Sequence, residues 1–206
     1  MRTPIRDLKT PVALLPPVLD VSLSLELLVE RVNVLSYPKT VFDKGWIYGV
    51  WYCGTSWQKA VYRGQLPSTF VKRVTAMFCG CRMLHLCCGR CHIPGAVNVD
   101  NQPLPEVDIR ADAEALPFNE RSFDVILVDP PYSEQDADRY KQHRLLGAKR
   151  VLSECRRVVT PNGFVLWLDE KYPVYRRSEY QLVGLIAIVT GFERRTRILS
   201  MFRNRG

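Results

Sequence analysis

From Met83 to the C-terminus the chain alternates short apolar runs with helical or turn segments. That alternation limits the fold more than any other feature of the sequence. "MLHLC", "AVNVD", "VDIRAD" and "FDVILVD" read in turn as strands. An amphipathic helix follows in "LLGAKRVLSECRRVV", with Leu145, Ala148, Val151, Leu152 and Cys155 on one stripe. After the turn "TPNG" comes a further strand, "FVLWLDE". "YQLVGLIAIVT", the polar turn "GFERR" and "TRILSMF" then close the chain as a hairpin. Strands apolar on both faces and separated by helices belong to a parallel sheet covered on each side. The expected fold class is therefore α/β, a mostly parallel sheet with an antiparallel C-terminal hairpin.

Ahead of this region, residues 1–45 are punctuated by proline and carry one amphipathic stretch, "LSLELLVERVNVL". They read as an N-terminal extension that docks on the main domain, on a second copy or on a partner protein, with the main domain spanning 46–206. "GWIYGVWYCGTSW" reads as strand or loop lying against something. In "LPSTFVKRVTAMF", Ser68 or Thr69 can cap a helix whose apolar face holds Phe70, Val71, Val74 and Phe78. With 206 residues the chain is long enough for one domain with a real core. Its net charge of +8 suggests a polyanionic partner, nucleic acid being the simplest. Seven cysteines without regular spacing argue for reduced thiols and a cytoplasmic setting. No apolar stretch reaches membrane-spanning length. Pro16, Pro17 and Asp20 interrupt the one run near the N-terminus that imitates a signal peptide.

In a sheet of this kind ligands sit beyond the carboxyl ends of the strands. The informative residues are then "CCGRC" after the first strand and Asp100 at the end of the second. "ADAEALPF", with Asp112 and Ala113, follows the third, and "DPPY" follows the fourth. A glycine in the first loop permits close backbone approach to a ligand. Asp100 is placed to accept the two hydroxyls of a ribose, and Asp112 to reach an adenine amino group. In "VDPPYS", Pro130 and Pro131 lack an N–H and fix their own φ, so the ladder stops at Asp129 and the chain leaves stiff and extended.

These strand-end residues resemble those of class I S-adenosylmethionine-dependent methyltransferases from about Met83 onward. The resemblance rests on the glycine loop, the acid ending the second strand, "Asp-Ala…Leu-Pro-Phe" before the fourth strand and the closing antiparallel pair. It implies a Rossmann-like sheet, S-adenosyl-L-methionine as cofactor, and His85, Cys87, Cys88, Gly89, Asp100, Asp112 and Ala113 as cofactor contacts. The chain departs from the family pattern at three positions. His85 stands for the first acid, Cys87 for the first glycine and Cys91 for the last, while Gly89 matches. Gly89 and Asp100 also lie too close for the usual intervening helix, so a looser turn, "RCHIPGA", replaces it.

"DPPY" further resembles the motif of amino-methyltransferases acting on exocyclic nitrogens of bases, and implies Asp129, Pro130 and Tyr132 as catalytic. An exocyclic amine is a poor nucleophile because its lone pair is delocalised into the ring. Asp129 and the Pro130 carbonyl can each accept one N–H and localise that pair. Pro131 keeps the turn rigid and Tyr132 offers a face for stacking. The expected function is methyl transfer to a nucleic-acid base, adenine N6 in DNA first, with DNA favoured over RNA. The alternatives are a ribosomal RNA guanine-N2 or adenine-N6 methyltransferase, and a catalytically weak methyltransferase-like protein that binds nucleic acid.

Two other clusters admit more than one reading. "CGRCH" matches a haem-attachment pattern, and Cys79, Cys81, Cys87, Cys88, Cys91, His85 and His92 crowd together. Alternate residues on a strand face opposite ways, so these groups do not all converge, and no metal is expected. Arg176, Arg177, Arg194, Arg195, Arg197, Arg203 and Arg205 form either a phosphate-contacting surface or a merely solvated basic face. Trp167 and Tyr172 either flank the target base or, for Trp167, belong to the core.

Overall fold

Strand periodicity explains how one sheet divides the core in two. A computed structural model describes residues 23–54, 65–140, 145–191 and 195–206. In β6 (Phe123–Val128), Val125 and Leu127 point into one core cluster while Ile126 and Val128 point into the other. The longer β7 (Val159–Asp169) repeats the alternation, with Phe164, Leu166 and Leu168 on one side and Val165 and Trp167 on the other. The first cluster is roofed by α1 (Leu25–Asn33) and α2 (Ser68–Met77), the second by α4 (Ala148–Val158).

The remaining strands are β1 (Val41–Asp43), β2 (Trp46–Tyr52), β3 (Met83–Leu86), β4 (Ala96–Asp100), β5 (Ile109–Arg110), β8 (Tyr180–Val189) and β9 (Arg197–Asn204). A short helix, α3 (Glu134–Arg139), follows the turn after β6. The nine strands form one sheet in the order β1-β2-β8-β9-β7-β6-β3-β4-β5. From β5 to β7 every pairing is parallel, as the apolar runs predict. β9 runs antiparallel to both β7 and β8 and is inserted between them.

The N-terminal stretch adds an unexpected margin. Lys44 (φ 47°) and Gly45 (φ 80°) make the tight turn of a β1–β2 hairpin, a two-residue connection that needs positive φ at both positions. β2 then pairs parallel with β8. α1 begins at the Ser24 cap, whose hydroxyl accepts the Leu27 amide at 3.2 Å. Its buried residues Leu25, Leu28, Val29 and Val32 follow the helical repeat into the core shared with Ile47 and Trp51. The boundary placed at 45/46 thus falls within the hairpin turn, and both its sides pack into one core.

Three local expectations need correction. Pro67, not Ser68 or Thr69, occupies the N-cap of α2, because the Thr69 hydroxyl donates to the Cys53 carbonyl at 2.9 Å. Leu145 lies ahead of α4, which Gly147 caps. "TPNG" does not break the strand: it lies inside β7, where Asn162 takes φ 61° and the register with β6 shifts. Of the turn "GFERR", residues 192–194 lie outside the described residues. No helix among the described residues is long and apolar enough to cross a membrane.

Candidate active site

The parallel strands end along one edge, and the residues singled out from the sequence follow that edge. Asp129 donates its amide to the Leu86 carbonyl at 3.3 Å, the last rung between β6 and β3 before the prolines end the ladder. The loop after β3 leaves from the same point. Cys87 takes φ 56° and Gly89 φ 50°, the left-handed region. An atom added at Gly89 would meet nothing within 4 Å, so open space stands over this loop. Asp100, buried at the end of β4, accepts the Gly89 amide at 2.9 Å through Oδ2 and the Gln102 amide at 3.0 Å through Oδ1.

Four of the seven expected cofactor contacts line one open cleft: Cys87, Asp100, Asp112 and Ala113, with Leu146 across from them. Asp112 is held by its own turn, Oδ1 accepting the Glu114 amide at 2.9 Å. That loop is clamped to α4 by Glu154, which accepts the Leu116 amide at 2.8 Å, and by Arg157, which donates to the Phe118 carbonyl at 2.7 Å. Two of the roughly four acceptor sites on the Asp100 carboxylate are used, leaving capacity for ribose hydroxyls, and Asp112 adds a second acceptor.

Two of the other expected contacts, His85 and Cys88, are buried. His85 is buried on β3, its Nδ1 3.2 Å from Asn98 Oδ1, and burial lowers its pKa to about 4, so it is neutral. Cys88 is buried too, its thiol pushed up to about 12 by burial first and then by Asp100. Asn98 is the residue the sequence did not reveal. Its amide spans the loop that replaces the missing helix, accepting from the Ile93 amide at 2.9 Å and donating to the Ala96 carbonyl at 3.1 Å and to Asp108 at 2.9 Å. Among the described residues no group of three or more His, Cys, Asp or Glu could hold a metal ion.

Cys87 stands where a left-handed residue is needed and glycine is favoured, and its side chain lines the cleft. An L-residue there costs about 1–2 kcal/mol. Cys87→Gly should leave the fold's Tm within a few degrees of the parent or above it. If the cleft holds the expected S-adenosyl-L-methionine, the variant should also bind it several-fold more tightly in a calorimetric titration. Weaker binding would mean that the thiol is part of the donor's cradle.

At the neighbouring strand end, Tyr132 folds back so that its hydroxyl donates to Asp129 Oδ1 at 2.7 Å. Burial raises the Asp129 pKa to about 6, against the opposing influences of Arg197 and Tyr132. Arg197, the first residue of β9, lies 3.4 Å from the Tyr132 hydroxyl. The sequence marks Arg197 only as one of the basic residues expected to contact phosphate; its place beside Tyr132 follows from β9 running antiparallel between β7 and β8.

The expected basic surface is dispersed. Arg195 is held by Asp136 at 3.0 Å and Glu170 at 2.8 Å, joining α3 to the end of β7. Arg176 pairs with Glu179 at 2.9 Å, and it and the exposed Arg177 precede β8 at the amino edge of the sheet. They are therefore on the side away from Asp129, because the chain must return there to start a strand parallel to β2. Arg194 lies outside the described residues. Trp167 is a core residue, 2% exposed, and Tyr172 is 57% exposed.

No family model and no curated protein matches the sequence. Solved structures do match. TrmN from Thermus thermophilus aligns with a TM-score of 0.50 at 17% identity, over 69% of this chain and 50% of that one. This is a methyltransferase-like α/β fold. The chain thus spans half the length of the TrmN chain it matches. The N-methyltransferase NodS from Bradyrhizobium japonicum, solved with S-adenosyl-L-homocysteine, aligns with a TM-score of 0.47 at 12% identity, over 67% of this chain and 85% of that one. A TehB-like SAM-dependent methyltransferase from Corynebacterium glutamicum gives 0.42 at 13% identity, over 65% and 86%.

Proposed function

We propose that this chain is an S-adenosyl-L-methionine-dependent methyltransferase acting on an exocyclic amino group of a nucleic-acid base, adenine N6 in DNA first. When bound, the donor supplies an electrophilic methyl on a sulfonium. Asp100 and Asp112 would hold its nucleoside half in the cleft, beside the open space over Gly89. One observation carries the reading: the last rung of the β6–β3 ladder sets Asp129 beside the loop that starts at Cys87.

From that position the Asp129 carboxylate and the Pro130 carbonyl can accept the two N–H bonds of an amine and localise its lone pair. Pro131 keeps the turn stiff, and the hydrogen bond from the Tyr132 hydroxyl to Asp129 fixes the Tyr132 ring. Above a pH of about 6 Asp129 is ionised and can act as acceptor. The net charge of +8 favours a polyanionic substrate.

Incubation with labelled donor and separate pools of single-stranded DNA, duplex DNA and ribosomal RNA, followed by mass spectrometry of the nucleosides, tests this. N6-methyladenine from DNA is the expected product. Methylated guanine or adenine from RNA alone would move the substrate to the ribosomal RNA alternative. Nucleic-acid binding without donor binding would make the chain a binding protein.

A further inference from the structure

The direction of β9 has a chemical consequence. Each parallel strand brings its last residue to the edge that bears Asp129, whereas β9 brings its first, Arg197: Ile198 pairs with Asp169 at the end of β7, and Arg197 with Ile188 near the end of β8. Arg197 Nη1 donates to the Tyr132 hydroxyl at 3.4 Å, and that hydroxyl donates to Asp129 Oδ1 at 2.7 Å. We propose that Arg197 is a positioning residue: acting through Tyr132, it fixes one oxygen of Asp129 and turns the other, Oδ2, toward the acceptor amine. The proposal rests on the reading of Asp129 as the group that receives the amine's N–H.

The hydrogen-bonding roles explain why an arginine is needed. A guanidinium only donates, whereas a phenol both donates and accepts. With Arg197 on its lone pair, the Tyr132 hydroxyl has its single proton directed at Asp129, which favours the ionised carboxylate. A phenol without that neighbour can instead accept from a protonated Asp129. At 3.4 Å the Arg197 contact is long for a hydrogen bond, so most of its force is electrostatic.

The charges around Asp129 agree. Burial pushes its carboxyl up, Arg197 is the strongest influence pulling it down, Tyr132 is next, and the Asp169 carboxylate at the end of β7 pushes it up again. After β3, Cys87 faces it as a neutral thiol, kept protonated first by burial and then by Asp100 and Asp129. On the far side of Arg197, Cys53 after β2 is likewise held neutral by burial. Arg197 is therefore the cation that balances Asp129 at this edge.

The test is a carbon-13 NMR titration of the Asp129 carboxyl in the parent protein, Arg197→Gln, Arg197→Lys and Tyr132→Phe, with pH profiles of methyl transfer for the same four. In the parent the midpoint should lie at about 6. Arg197→Gln should raise it by about one unit, a tenfold gain in proton affinity, and Tyr132→Phe should raise it in the same direction. Arg197→Lys should keep it near the parent value. The acid limb of the transfer rate should move with the midpoint, so that Arg197→Gln loses more rate at about pH 6 than at about pH 8.

An unmoved midpoint in a folded Arg197→Gln protein overturns the proposal. Should that variant not fold, Tyr132→Phe removes only a hydroxyl, and an unmoved midpoint there overturns it equally. A midpoint that rises while the acid limb stays in place upholds the link from Arg197 to Asp129 and instead removes Asp129 from the transfer step.

Discussion

Asp129→Asn is expected to make the protein more stable at neutral pH while abolishing methyl transfer. The carboxyl has a pKa of about 6 in the fold against an ordinary value of 3.8. As pH rises through 3.8 the unfolded chain ionises first, so the folded state loses stability between 3.8 and about 6, and the loss is complete above that window. Two units correspond to about 3 kcal/mol, and roughly 1–3 kcal/mol is a fair range for the gain from a neutral isostere. The side-chain amide introduced there keeps an acceptor for the Tyr132 hydroxyl but carries no charge to localise an amine lone pair. The transfer rate should fall by about 10²–10⁴-fold. Thermal melts at several pH values check the first half: the variant should melt above the parent at pH 7, with the difference vanishing at pH values below 3.8. A lower Tm at pH 7 would show that Asp129 is there for the fold, not for chemistry.

Gly184→Ala is the second large effect expected, this time on stability. A Cβ on Gly184 would stand 2.6 Å from the Ile47 carbonyl oxygen and 2.8 Å from the Ile47 Cβ. The first of these is backbone, and Ile47 is fully buried, so neither partner can yield cheaply. Crowding of this kind in a packed interior costs about 1–3 kcal/mol, occasionally more, which for a domain of this size is roughly 2–12 °C in Tm. β2 would be pushed off β8, and with it the end of β2 at Tyr52. Calorimetry or circular dichroism melting measures the loss. A Tm within about 2 °C of the parent would mean that the β2–β8 margin is loosely attached.

Much of the edge that carries Asp129 can be read from the sequence because a strand's last residue needs only its own pattern to be found. "MLHL", "AVNVD" and "FDVILV" are short, apolar and bounded by turn residues, so Asp100 and Asp129 could be placed at strand ends before any fold was known. The third strand is only Ile109–Arg110, and Asp108 just before it accepts from both the backbone and the side chain of Asn98. What local pattern cannot show is partnership across the sheet. Arg197 meets Tyr132 over 65 positions of sequence, and only the insertion of β9 between β7 and β8 makes them neighbours. The same limit applies to Arg176 and Arg177, whose charge was legible but whose edge depends on where β8 begins. Asn98 is hidden for a different reason: an asparagine inside a strand carries no signal that it will replace a helix.

The hairpin at the outer margin also bears on how copies of the chain could associate. Its outermost strand has three residues, and one of them is Asp43. A neighbouring chain adding a strand there would gain only a few backbone hydrogen bonds and would meet a carboxylate, the usual guard against fibre-like stacking. Association at that margin would fall instead to the side chains of Val41, Tyr48 and Tyr52, which remain 39%, 43% and 59% exposed.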